Sequence, residues 1–207
     1  MWPLVDNRNP FEVLIPKLKA ATEKFDMVPQ PQHKGPEPQA WDGTEDLLPG
    51  KLVPYYLQAD KGPKYLVEGM LVKPLVTTKE SGGKFTIGSI EGSAWHSNKA
   101  LATRLSFTDV HHAMHVVVGQ IGITIDGIST TLNTGETVYI PKGSVFSMKF
   151  VSRFAQAYTF ANGGGLLELL CELGEEHQHS IIPEKESSIP AGELSKLSSK
   201  FGGQVIS

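Results

Sequence analysis

The sequence predicts an all-β fold, a small antiparallel barrel or sandwich with short helices towards both ends. Three observations carry this. From Tyr65 onward, short runs rich in β-branched and aromatic residues recur about every eight to ten residues. The breaks between them are turn chemistry: Asp126-Gly127, Asn133-Thr134-Gly135 and Pro141-Lys142-Gly143. Phe146, Met148 and Phe150 alternate with Ser147 and Lys149, the period of a half-buried strand.

Composition bounds the function. With 207 residues, 40% hydrophobic and 20% charged, the chain has the make-up of one globular domain with extensions. The expected layout is an arm with a short helix over 1–60, a barrel over 61–175 and a tail with a short helix over 176–207. A net charge of −3 with no basic stripe argues against nucleic acid as a partner. A single cysteine, Cys171, excludes an internal disulfide and fits a reducing compartment. Met1-Trp2-Pro3-Leu4-Val5-Asp6 has neither a basic start nor an apolar core, and no window is long enough to span a bilayer. The expectation is a cytoplasmic protein without a membrane partner.

In chain order, Pro16 suits the first turn of a helix over 17–25, while Pro29, Pro31, Pro36, Pro38, Pro49 and Pro54 deny the arm any long helix or central strand. Strands are expected over 65–71, 75–78 and 85–91, with loops at 81–83 and 92–98. The second loop carries Trp95 and His96, which suit an aromatic substrate at a barrel mouth; packing on the barrel end accounts for them equally well. A strand over 102–108 feeds the histidines, with Leu105 and Phe107 on one face. Phe154, Tyr158 and Phe160 extend the wall, 166–173 is an apolar closing strand or short helix, and Pro190 opens a helix over 191–201. The glycines 163–165 read as a turn, and His177 and His179 as solvated tail residues.

The stretch that carries chemistry is Thr108-Asp109-Val110-His111-His112-Ala113-Met114-His115, which holds three of the seven histidines. If it is one strand, Asp109, His111, Ala113 and His115 share a face and His112 points away, towards the surface or a subunit contact. Two imidazoles and a carboxylate on one interior face suit a divalent transition metal: Fe, Mn, Ni, Co, Cu or Zn. The alternative is a metal-free face whose histidines hydrogen-bond one another.

Gly135, five residues, then Pro141-Lys142-Gly143 resembles the second sequence motif of the cupins, and the histidine stretch lies where their first motif falls. With Gly122 as the closing glycine, the resemblance puts His115 at the position of the usual ligand glutamate, and His111 and Asp109 at the His-x-His pair. Phe146 then stands where the second motif's histidine is found. Segments 62–66, 75–85 and 161–165 resemble the C-terminal half of fungal two-cupin proteins related to quercetin 2,3-dioxygenase, over roughly 52–174, and 11–32 is similar to the connector before that half. The resemblance implies a single double-stranded β-helix, or jelly-roll, barrel. It also implies that the metal usually sits in the other half of such proteins.

Three functions follow as expectations. The first is a metal-dependent dioxygenase or oxidase of secondary metabolism, with Asp109, His111 and His115 as ligands and catalytic groups. Its apolar aromatic or polyketide-like substrate would lie in a pocket of Phe107, Ala113, Phe146, Met148, Phe150, Trp95 and Tyr158. The second is a metal-independent lyase, isomerase or cyclase using the same pocket for proton transfer. The third is a non-catalytic cupin subunit that pairs with a partner barrel, most simply as a homodimer.

Overall fold

The computed structural model describes residues 47–206, together with Pro16 and Ala20, both helical. The chain forms two compact units, Met1–Glu37 and Pro38–Ser207, and the fold described is that of the second. The remainder of the helix expected over 17–25 and the prolines from Pro29 to Pro38 lie outside the described residues.

Among the described residues, the strands are β1 (Tyr65–Val67), β2 (Met70–Val76), β3 (Thr86–Gly92), β4 (Leu105–Phe107), β5 (His112–Val118) and β6 (Gln120–Ile125). They continue with β7 (Ile128–Asn133), β8 (Thr137–Ile140), β9 (Val145–Phe150), β10 (Ala155–Ala161), β11 (Glu175–Glu176) and β12 (Gly203–Val205). Besides the helical Pro16 and Ala20, the helices among the described residues are α1 (Thr78–Ser81), α2 (Lys99–Ala102), α3 (Gly165–Leu173) and α4 (Glu193–Lys200). One sheet runs β11-β1-β2-β3-β10-β5-β8 and the other β12-β4-β9-β6-β7, with antiparallel pairing throughout.

The all-β expectation holds, and the differences are local. The run 65–71 splits into a hairpin because Glu68 (φ 47°) and Gly69 (φ 79°) both turn left-handed. Glu68 is held there by its amide donating to Ser187 Oγ (3.0 Å) and its carboxylate accepting from the Ala100 amide (2.7 Å). The run 75–78 is strand only to Val76. Thr77 and Glu80 then form a reciprocal capping box that starts α1, and Gly82 at φ 64° ends it. Residues 99–102 form α2, so the strand expected over 102–108 shortens to β4. Of the two readings of 166–173, the helix is the one observed. The glycines 163–165 turn the chain from β10 directly into α3.

The core lies between the sheets. Inward residues of β10 are small, and β5 sets larger ones directly opposite: Ala161 faces His112, Thr159 faces Met114, and Ala157 faces Val116. From the second sheet come Ile121, Ile123, Phe146, Met148 and Phe150, all buried. Phe150 packs on Gly92, where even a Cβ would come within 2.1 Å of the ring. Helix α3 buries Leu166, Leu167, Leu169 and Leu170, each worth about 1.5–3 kcal/mol. Leu167 seats on Gly88, where a Cβ would come within 2.7 Å of it.

Candidate functional site

The histidine stretch is not one strand. The chain leaves the second sheet after Phe107, crosses at 108–111, and enters the first sheet at His112. The crossing is pinned at both ends: the Thr108 amide donates to Gly202 O (3.0 Å), and the His111 amide donates to Asn162 Oδ1 (2.6 Å). Alternation counted from Phe107 therefore restarts at His112, and the inward set becomes His112, Met114 and Val116, with relative exposures of 4, 2 and 0%. This corrects the expected facing. His111, Ala113 and His115 are only part-buried, on the outer side, and the Asp109 side chain is 85% exposed.

The interior position belongs to three rings. Phe107 and His112 lie 4.7 Å apart between centroids, His112 and Phe146 5.6 Å, and Phe107 and Phe146 6.1 Å. His112 Nε2 accepts a hydrogen bond from the Leu166 amide at the start of α3 (3.1 Å), which puts the neutral ring's proton on Nδ1. Burial, reinforced by neighbouring His111, lowers its pKa from 6.5 to about 4. Only glycine fits at 165: a Cβ there would lie 2.4 Å from His112 Nε2, and φ is 52°.

On the outer face each group expected to bind metal has its own partner. Tyr139 OH pairs with His111 Nδ1 (2.6 Å), with the two rings stacked at 5.8 Å. His115 Nδ1 pairs with Thr137 Oγ1 (2.9 Å), and Asp109 with Lys142 Nζ (3.6 Å). Among the described residues no three His, Cys, Asp or Glu side chains are grouped to hold a metal ion.

The expected pocket residues divide in the same way. Phe107, Phe146, Met148 and Phe150 point inward as their alternation predicts and belong to the buried core. Ala113 and Tyr158 belong to the outer face, where Tyr158 stands opposite His115. Trp95 is 73% exposed, with the Arg153 guanidinium 5.3 Å from its ring centre. Sequence reasoning missed Tyr139, the partner of His111. Tyr139 stands opposite Ala113 on β8, a pairing between strands distant in sequence that no local pattern announces.

The spacing admits a second starting glycine. The glycine that closes β5 is Gly119, at φ 76°, where a Cβ would fall 2.2 Å from Phe154 O. Gly122 lies inside β6. Seven residues back from Gly119 is His112, so a count from Gly119 in place of Gly122 falls on His112 rather than His115. Phe146 keeps the place of the second motif's histidine, and both point inward.

Two facing antiparallel sheets, the left-handed glycine at the end of β5 and the Gly135 to Gly143 segment that carries β8 agree with the single barrel of cupin type expected from the sequence. The curated relative it matches is quercetin 2,3-dioxygenase of Bacillus subtilis (strain 168), 23% identical over 136 residues. That match covers 66% of this chain and 39% of the relative, so the chain spans well under half of that protein. No family model matches. Solved structures of similar fold include a predicted oxalate decarboxylase from Thermotoga maritima, with TM-score 0.43, 8% identity and coverage of 49% of this chain and 91% of that one. KdgF from Halomonas sp. gives TM-score 0.43 and 9% identity, covering 54% of this chain and 94% of that one.

A divalent transition metal needs several convergent N, O or S donors. The barrel interior offers one imidazole, whose Nε2 already accepts the Leu166 amide, and two phenyl rings. These residues do not fit the group.

Proposed function

We propose that this chain is a non-catalytic cupin barrel that works as a partner module, paired with a second copy of itself. The observation that carries the reading is the contact of Phe107, His112 and Phe146 at the position where a cupin gathers its ligands. Two phenyl rings there supply core packing in place of coordination. The outer face of β10, β5 and β8 presents Phe160, Ala113 and Tyr139 in one cross-strand row, with Phe160 39% and Tyr139 59% exposed. An aromatic ridge of that kind suits a two-fold contact between copies.

The dioxygenase reading is supported by the similarity to the Bacillus subtilis quercetin 2,3-dioxygenase and requires a metal held by Asp109, His111 and His115. The proton-transfer reading requires His112 to meet a substrate, and His112 is packed against two rings. One experiment separates the three. The protein is reconstituted with Fe, Mn, Ni, Co, Cu and Zn and assayed for bound metal, dioxygen uptake with flavonols, and solution mass. Metal-free protein of twice the chain mass, without dioxygen uptake, is the expected result. Stoichiometric metal that disappears in Asp109→Ala/His111→Ala/His115→Ala restores the oxygenase; turnover of an enolisable aromatic substrate in metal-free protein restores proton transfer.

A further inference from the structure

The first sheet's outer face carries a second cluster that the partner role does not use. Pairing registers align Lys73 of β2, Ser89 of β3, Tyr158 of β10, His115 of β5 and Thr137 of β8 in one row across five strands. At the β2 end of that row, residues 57–61 and the sheet together line a half-open cavity of ≈ 240 Å³. Its floor is Lys73, Leu75, Ser89, Glu91, Gln156 and Tyr158.

The charged groups of this cavity are already matched to one another. Lys73 Nζ sits 2.8 Å from Glu91 Oε1 and 3.8 Å from Asp60 Oδ1, and Gln156 Nε2 donates to the same Glu91 oxygen (3.0 Å). With two carboxylates, Asp60 and Glu91, and two ammonium groups, Lys61 and Lys73, the lining carries no net charge. The groups left over are neutral. Ser89 is only 3% exposed, yet its hydroxyl has no hydrogen-bond partner among the described residues. Tyr158 OH and Gln156 Oε1 have none either. A hydroxyl that opens onto a cavity can donate to and accept from whatever enters it.

We propose that this cavity binds a small neutral polyhydroxylated ligand, a polyol or monosaccharide, through Ser89, Tyr158 and Gln156. Each of those three groups is uncharged. Two hydroxyls both donate and accept, the amide oxygen accepts, and a ligand hydroxyl satisfies either need. A charged ligand has no free counter-charge, since Lys73 is engaged by Glu91. The volume lies below the usual range for drug-sized ligands, which sets the size class. Leu57 and Leu75 supply apolar surface for a ligand's C–H face.

The test is ligand-observed NMR and calorimetry on the full chain with glycerol, myo-inositol, glucose and galactose, beside charged gluconate and glucosamine. At least one neutral compound is expected to bind. Its Kd is expected to rise about tenfold in Tyr158→Phe and in Ser89→Ala, the loss of one hydrogen bond each, and to be unchanged in Trp95→Ala. Tyr158→Phe removes only a part-exposed hydroxyl, so it serves even if Ser89→Ala disturbs the sheet. No binding of any neutral compound at about 100 mM overturns the proposal, as does binding that both variants leave intact. Tighter binding of gluconate or glucosamine overturns the neutral class.

Discussion

His112 makes the fold's stability depend on pH in a way that can be worked out. In the unfolded chain an imidazole titrates at 6.5, whereas in the barrel burial and His111 hold it at about 4. Between those values the unfolded chain binds a proton that the folded chain refuses, so stability falls as pH falls through that window and levels off below about 4. At about 1.4 kcal/mol per pH unit, the loss attributable to this one group is about 3 kcal/mol. The control is His112→Gln, whose amide oxygen accepts the Leu166 amide but takes no proton in this range. Urea unfolding at a series of pH values from 7.5 to 4 should show wild type losing about 3 kcal/mol more than the variant, with all carboxylate contributions common to both. Parallel curves would refute the packing assigned to His112.

Three further outcomes follow from the same geometry. The double variant Phe107→His/Phe146→His sets three imidazoles around one point and is expected to take up near-stoichiometric zinc or nickel; elemental analysis with added His112→Ala as control checks it, and metal-free protein would mean that the three rings do not mark the ligand positions. Gly119→Ala must displace Phe154 O and adopt a left-handed φ, so a loss of about 2–4 kcal/mol is expected in chemical unfolding. Ala113→Phe enlarges an outer-face residue and is expected to leave unfolding within about 0.5 kcal/mol of wild type in a monomeric dilution, where a core location would cost far more.

What the sequence revealed followed from short-range regularity. Phe146, Met148 and Phe150 lie within one uninterrupted strand, so counting by two placed them correctly. Gly135 and Gly143, both at positive φ, bracket the single strand β8. Counting by two failed between Phe107 and His115 because the chain changes sheets there, and no property of Thr108, Asp109, Val110 or His111 announces the change. The stronger cue was Gly119, whose left-handed turn fixes the end of β5, but Gly122 competed with it three residues on. Helix α3 was ambiguous for another reason: 166–173 is too apolar for its period to show, and only its seat on Gly88 decides it. Tyr158 was singled out as a pocket residue, yet the cavity it lines depends on residues 57–61, which pair with nothing in sequence.

The bond from the Leu166 amide to His112 gives this barrel an internal reporter. Amides in the first turn of a helix ordinarily lack an intrahelical acceptor and exchange with solvent quickly. The Leu166 amide is instead closed off by a strand 54 residues away in sequence, behind a ring that is 4% exposed. Its exchange with deuterium is gated by separation of α3 from the first sheet, so this single proton times that undocking from a position where a helix usually reports only its own fraying.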